Sequence, residues 1–216
     1  MPDDVALQTL IADLSSQLRP VRALPPPWRR AALWCGAVLL VASVFALFAD
    51  LNALMHRLMS TPDMWLSFLG ALFTAILAAS AAFITSVPGR SSLWALLPLP
   101  PLALWLSAGT AGCLRMEPPP GTVPEAPMHP MACIYFIVMV SVPLSILLMW
   151  QITRACPLRP ALTASLAGLA SAGAAAVILA LVHPFDATYT DLLAHLVAVV
   201  LVVVGVRIAG ERALRK

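Results

Sequence analysis

The sequence is short of charge. Only 11% of its 216 residues are Asp, Glu, Lys or Arg, against about 25% in soluble domains. Hydrophobic residues make up 61%, more apolar surface than one core of this length hides from water, which excludes an ordinary soluble globule. Cysteine is scarce as well. Four scattered cysteines are too few for a secreted disulfide scaffold, and the absence of any Cys-x-x-Cys or Cys-x-x-His pair excludes a zinc ribbon or covalent haem attachment. The motifs of the common enzyme classes are missing too: no His-Glu-x-x-His, no nucleophile elbow, no phosphate-cradling glycine loop and no pair of carboxylates inside an apolar run. The sequence therefore predicts a protein that is not an enzyme, holds no resident cofactor and takes no nucleic acid as partner.

What the chain does have is six apolar runs, each about the 20 residues that one bilayer crossing requires: residues 31–50, 64–86, 93–112, 131–151, 161–182 and 191–209. The predicted fold is all-α, a polytopic membrane protein built as a bundle of six transmembrane helices with an N-terminal cytoplasmic amphipathic helix. Residues 1–30 form a cytoplasmic segment, 31–209 the membrane domain and 210–216 a basic tail. Some 30 residues, among them Pro25-Pro26-Pro27, precede the first run, so it reads as a retained span and not a signal peptide.

Six crossings place both termini on one side, and the basic residues choose that side. Eleven of the 13 Lys and Arg fall on it; only Arg57 and Arg115 fall on the other. By the positive-inside rule both termini are predicted to be cytoplasmic. Trp28, Trp34, Trp94 and Trp150 fall near the predicted cytoplasmic boundary and Trp65 near the outer one, as interfacial aromatic belts do; Trp105 lies deeper and is expected to pack between helices.

The short connections near residues 87–92 and 153–160 predict antiparallel neighbours. Pro98, Pro100 and Pro101 within the third run are expected to kink or unwind it, and Pro143 to bend the fourth more mildly. The fifth run, rich in Ala, Gly and Ser, predicts close helix approach.

On the cytoplasmic side Leu7, Leu10, Ile11, Leu14 and Leu18 recur at helical spacing. Two receptors suit such a helix: the inner leaflet, with membrane lipid as partner, or a groove in another protein. Asp3, Asp4 and Asp13, with no basic residue in that half of the segment, favour the protein groove over an anionic surface. On the outer side lie His56, His129, His183 and His195 with Cys113 and Cys133. Three readings fit them: a site for a soft or borderline metal ion, a Cys113–Cys133 disulfide in an oxidising compartment, or solvated imidazoles beside thiols that merely pack. A small transporter or channel is the rival class. It calls for ionisable residues along a path through the bundle, and only His195 lies even shallowly inside a span. The oligomeric state is not written in the sequence.

The run Ser86-Val87-Pro88-Gly89-Arg90-Ser91, followed by Trp94-Ala95-Leu96-Leu97-Pro98-Leu99-Pro100-Pro101, resembles the NrsF family of membrane anti-sigma factors. The resemblance continues through Gly112-Cys113-Leu114, Cys133, Pro157-x-Arg159-Pro160 and Leu18-Arg19-Pro20-Val21-Arg22. It implies a regulator that sequesters an extracytoplasmic-function sigma factor through its N-terminal segment and releases it on an envelope stimulus. Arg19, Pro20, Val21 and Arg22 match the family's Arg-Pro segment ahead of the first span, and Cys133 matches an outer-face cysteine. Where the family usually has Cys-Pro after the fifth span, this chain has His183-Pro184. The sensing set implied is Cys113, Cys133, His183 and His195, with Cys133 and His183 as the pair for a transient metal ion.

Overall fold

Proline sets where the helices begin. A computed structural model describes residues 2–17, 24–60, 62–115, 130–182 and 189–214, and α1 (Pro2–Ser16), α2 (Pro27–Ala46), α4 (Pro62–Thr85), α6 (Pro130–Thr153) and α7 (Pro160–Val182) each open on a proline. The first turn of a helix leaves its N–H groups without intrahelical acceptors, so a residue that lacks one costs nothing there, and its fixed φ already suits the helix. The remaining helices are α3 (Leu51–Ser60), α5 (Leu99–Arg115), which follows a 3₁₀ turn at Ser92–Leu96, and α8 (Tyr189–Leu214). No strand occurs among the described residues.

Six segments are long and apolar enough to cross a membrane: Pro27–Ala46, Pro62–Thr85, Ser92–Ala111, Met131–Thr153, Pro160–Val182 and Leu192–Leu214. They coincide with the six runs read from the sequence, and the fold is the expected all-α bundle. The first begins earlier than expected because the third residue of the proline run starts the helix, which draws Arg29 and Arg30 inside it. The last runs on through Arg207 and Arg212 to Leu214.

α7 is the axis of the bundle. Its span is 72% buried, whereas that of α2 is 17% buried, and it packs against α2, α4, α6 and α8. Small residues permit this. A Cβ at Gly168 would lie 2.9 Å from Val203 Cα of α8, and one at Gly173 would lie 3.2 Å from the Ala71 carbonyl of α4. In an apolar solvent, where burial drives helices together weakly, such backbone approach supplies the dispersion contacts that hold spans together. Hydroxyls add short ties: Ser141 donates to the Ser171 carbonyl at 3.3 Å between α6 and α7, and the Thr85 and Thr163 hydroxyls meet at 3.5 Å between α4 and α7. The two short connections give antiparallel neighbours as expected, α4 with α5 and α6 with α7.

Of the two outcomes expected for the prolines of the third run, a kink or an unwinding, the structure has the unwinding. Pro98 is buried between the 3₁₀ turn and α5, and its carbonyl accepts from Leu102 N–H at 3.0 Å. Pro100 and Pro101 occupy the first turn of α5, so the run is unwound before the helix starts and not bent within it. Pro143 lies inside α6.

Two features differ from the sequence reading. Trp34 is no belt residue: it is 1% exposed and its indole N–H donates to the Leu144 carbonyl at 3.1 Å, because α2 turns this side toward α6. Trp28, Trp65, Trp94 and Trp150 are exposed as expected, and the backbone of Trp105 abuts Gly70. The second difference is α3, which lies between the first two apolar runs and is not among the expected helices. Asp50 caps it, its Oδ1 accepting from Ala53 N–H at 3.0 Å. Leu51, Leu54, Met55, Leu58 and Met59 then fall at i, i+3, i+4, i+7 and i+8, a signal the sequence carried in full.

Candidate functional site

The two ends of the bundle differ in chemistry. At the end that carries the chain termini, the first turn of α2 plants Arg30 into the interior, 4% exposed. One guanidinium nitrogen donates to the Ser86 hydroxyl at 3.4 Å, another to the Gln151 carbonyl, and the plane lies over the Phe83 ring at 4.7 Å. The Ser86 hydroxyl in turn donates to the Phe83 carbonyl at 2.8 Å. One side chain thus ties the start of α2 to the ends of α4 and α6. The α2–α6 contact continues through Trp34 and Leu144 to an edge-to-face pair of Phe45 and Phe136, centroids 5.2 Å apart. Dipoles and a ring face hold the Arg30 charge in these contacts, with Arg154 adding like charge nearby.

Sequence reasoning counted Arg30 only as a topology signal, and no local pattern marks it out. Arg30→Gln is expected to lower stability by about 1.5–3 kcal/mol, the worth of hydrogen bonds made by a charged donor. Arg30→Lys should recover only part of that loss, since an ammonium lacks the planar fork whose two nitrogens reach Ser86 and Gln151 separately. Thermal unfolding of the detergent-solubilised protein followed by circular dichroism measures both; unchanged transitions would show that the tie contributes nothing.

Around Arg30 runs a basic rim. Arg29 stacks over Trp28 at 5.1 Å and Arg154 over Trp150 at 4.3 Å, and Arg90, Arg159, Arg207 and Arg212 are exposed. From this end the chain leads back through Leu24, Pro25 and Pro26 toward α1. Leu7, Leu10, Ile11 and Leu14 of α1 are each more than half exposed, a stripe that no helix of the bundle covers. The stripe is narrow, since Val5 is also exposed but falls on the opposite side of the helix. Leu18, Arg19, Pro20, Val21 and Arg22 lie outside the described residues.

The expected sensing residues fall at the other end. Cys113 is in the last turn of α5, Cys133 opens α6 and His195 lies in the second turn of α8; the α5 and α8 ends meet where Gly109 faces Leu192. Cys133 is buried, 1% exposed, in the main core, and His195 is half-buried. His183 follows the last residue of α7 and lies outside the described residues, as does the side chain of Cys113. Among the described residues no three His, Cys, Asp or Glu side chains gather closely enough to hold a metal ion.

Over residues 14–215 the chain matches the family described as NrsF, negative regulator of sigma F. The chain belongs to the NrsF family. It is accordingly a multi-pass membrane protein that acts as a negative regulator of a sigma factor, its partner. No curated protein and no solved structure matches the chain at a significant level. The residues that carried the NrsF resemblance have structural work at the Arg30 end. Ser86 is the hydroxyl that receives Arg30. Val87-Pro88-Gly89-Arg90 is a tight turn closed by Arg90 N–H to the Val87 carbonyl at 3.3 Å, with Gly89 at φ +81°, a left-handed position that favours glycine after proline. Pro160 opens α7.

Proposed function

We propose that this NrsF protein holds an extracytoplasmic-function sigma factor at the inner membrane through residues 1–30, with both termini cytoplasmic, and frees it on a metal or redox stimulus in the envelope. The carrying observation is the uncovered stripe of α1. Leu7, Leu10, Ile11 and Leu14 expose over half their surface, the kind of stripe a partner's groove receives, and Asp3, Asp4 and Asp13 favour that groove over an anionic leaflet. In the sequence Leu18 continues the spacing of these leucines, and Arg19 and Arg22, beside Pro20 and Val21, pair with acidic groups of the sigma factor. The basic rim at the same end fits a cytoplasmic leaflet and its anionic lipid.

At the outer end Cys133 and His183 register the stimulus with Cys113 and His195. A thiol buried like Cys133 is inert until the helices around it part, so its reaction with a metal or oxidant and a rearrangement of the bundle are one event. Cys133→Ser is expected to leave repression intact and abolish induction by thiol-reactive metals and oxidants in a reporter strain; full induction in the variant would remove Cys133 from sensing.

Affinity capture of the full-length protein from its own cells, solubilised in mild detergent, tests the reading as a whole. A sigma factor of the extracytoplasmic-function class should co-elute, and a chain lacking residues 1–17 should lose it. Retention by the shortened chain would move the docking surface elsewhere; co-elution of a different sigma class would overturn the assigned partner.

A further inference from the structure

Between α2 and α4 the chain could have turned with a short loop; instead it builds α3, ten residues long. At about 1.5 Å per residue such a helix is far too short to cross a bilayer. Its apolar arc has two edges. Leu54 and Leu58, 5% and 7% exposed, form one edge of a helix that packs against α4 and α7. Leu51, Met55 and Met59 form the rest and remain 49%, 55% and 79% exposed. His56 is exposed on the polar arc, and Asn52, seven residues before Met59, is exposed at its border with the apolar one. The approach to α3 is equally apolar: Leu40 and Val44 on the outward side of α2 lead to Leu47 and Phe48, 82% and 84% exposed, immediately ahead of the Asp50 cap. The lipid-facing surface of α2 therefore leads through Leu47 and Phe48 to α3, with the exposed Asp50 cap at the junction.

We infer that α3 is a lipid-binding helix seated in the headgroup–acyl boundary at the end of the bundle opposite the chain termini. Leu51, Met55 and Met59 lie among acyl chains, and His56 faces water. The division of the helix into one apolar and one polar arc is that of helices lying in the membrane plane. Continuity with the bilayer-facing surface of α2 selects phospholipid as the occupant. The flexible thioethers of Met55 and Met59 suit a partner without fixed shape. Because Leu54 and Leu58 hold α3 on the bundle, the state of that leaflet bears directly on α4 and α7. This deepens the proposed envelope sensing by naming a physical contact between the lipid boundary and the spans, and it rests on the assignment of six crossings.

The test uses the full-length chain in nanodiscs of phosphatidylethanolamine and phosphatidylglycerol, with its four cysteines replaced by Ala and helix content verified. Nitroxide labels go singly on Leu40→Cys, Met55→Cys, His56→Cys and Met59→Cys, and their relaxation is read with oxygen, which concentrates in lipid, and with a nickel chelate, which stays in water. The oxygen-to-nickel ratio should be several-fold higher at 55 and 59 than at 56. A ratio at 55 and 59 as low as at 56 would overturn the inference. So would exclusion of both reagents at 55 and 59, which would mean that protein, a second copy included, covers this face. The label at 40 separates the two levels: water exposure there would overturn the span assignment itself, whereas lipid exposure at 40 with water exposure at 55 and 59 overturns only the placement of α3.

Discussion

Substituting Asp for both Leu10 and Leu14 is expected to weaken sigma-factor binding by at least about 100-fold. Burying one leucine side chain is worth about 1.5–3 kcal/mol, so losing two removes about 3 kcal/mol or more, and each 1.4 kcal/mol is about tenfold in affinity. Asp also lowers helix propensity, by about 0.7 kcal/mol per residue at most, and that effect must be separated from lost burial. Leu10→Ala with Leu14→Ala does so, because Ala favours the helix while forfeiting most of the buried surface. It should still lose about tenfold or more. Val5→Asp, off the stripe, should bind like the unaltered chain. The full-length protein in nanodiscs, titrated with the purified sigma factor, gives the affinities, and a reporter of the sigma-dependent promoter gives the consequence: constitutive expression with the double Asp variant, repression with Val5→Asp. Equal affinity for all the variants would take α1 out of the interface.

The second large effect is expected at Trp34. Trp34→Ala should destabilise the bundle by about 3–5 kcal/mol, the range for emptying a buried aromatic site. Lipid exposes apolar groups at little cost, so inside a membrane the transfer part of that loss shrinks and the lost packing remains; the lower end of the range is the expected one. Trp34→Phe keeps most of the volume and forfeits the indole hydrogen bond to the Leu144 carbonyl. That carbonyl also belongs to the backbone of α6, so the loss should be about 0.5–1.5 kcal/mol. Unfolding titrations from mild into denaturing detergent order the three proteins. A Phe variant as unstable as the Ala variant would show that the hydrogen bond, and not the packing, holds α2 on α6.

Both predictions concern α2 and what precedes it, for a structural reason. α2 is 17% buried along its span while α7 is 72% buried, so the helix that follows α1 is among the least enclosed in the bundle. Arg30 and Trp34 are among the contacts that hold it to the other helices. Few buried contacts mean a low cost of local opening.

The legible part of this protein is what the solvent dictates. A bilayer accepts only helices of a set length and hydropathy, so the six spans and the all-α fold follow from composition and run length, and the NrsF resemblance follows from Ser86–Arg90 and the prolines after it. α3 was equally readable from the Asp50 cap and the spacing of Leu51 to Met59, both local properties of the chain. Other features depended on which side of each helix meets a neighbour. Hydrophobicity all round a span leaves its rotation unmarked, so nothing in the sequence distinguished Trp34, turned inward to Leu144, from Trp28, turned outward. Arg30 pairs with Ser86 and Gln151, distant in sequence and joined only when three helix ends converge. The sequence by itself determined that the chain crosses the membrane and where, because each crossing satisfies its own backbone hydrogen bonds. Only the tertiary structure decided which residues lock α2 to the bundle and which face α3 turns outward, because those depend on contacts between segments that no local pattern encodes.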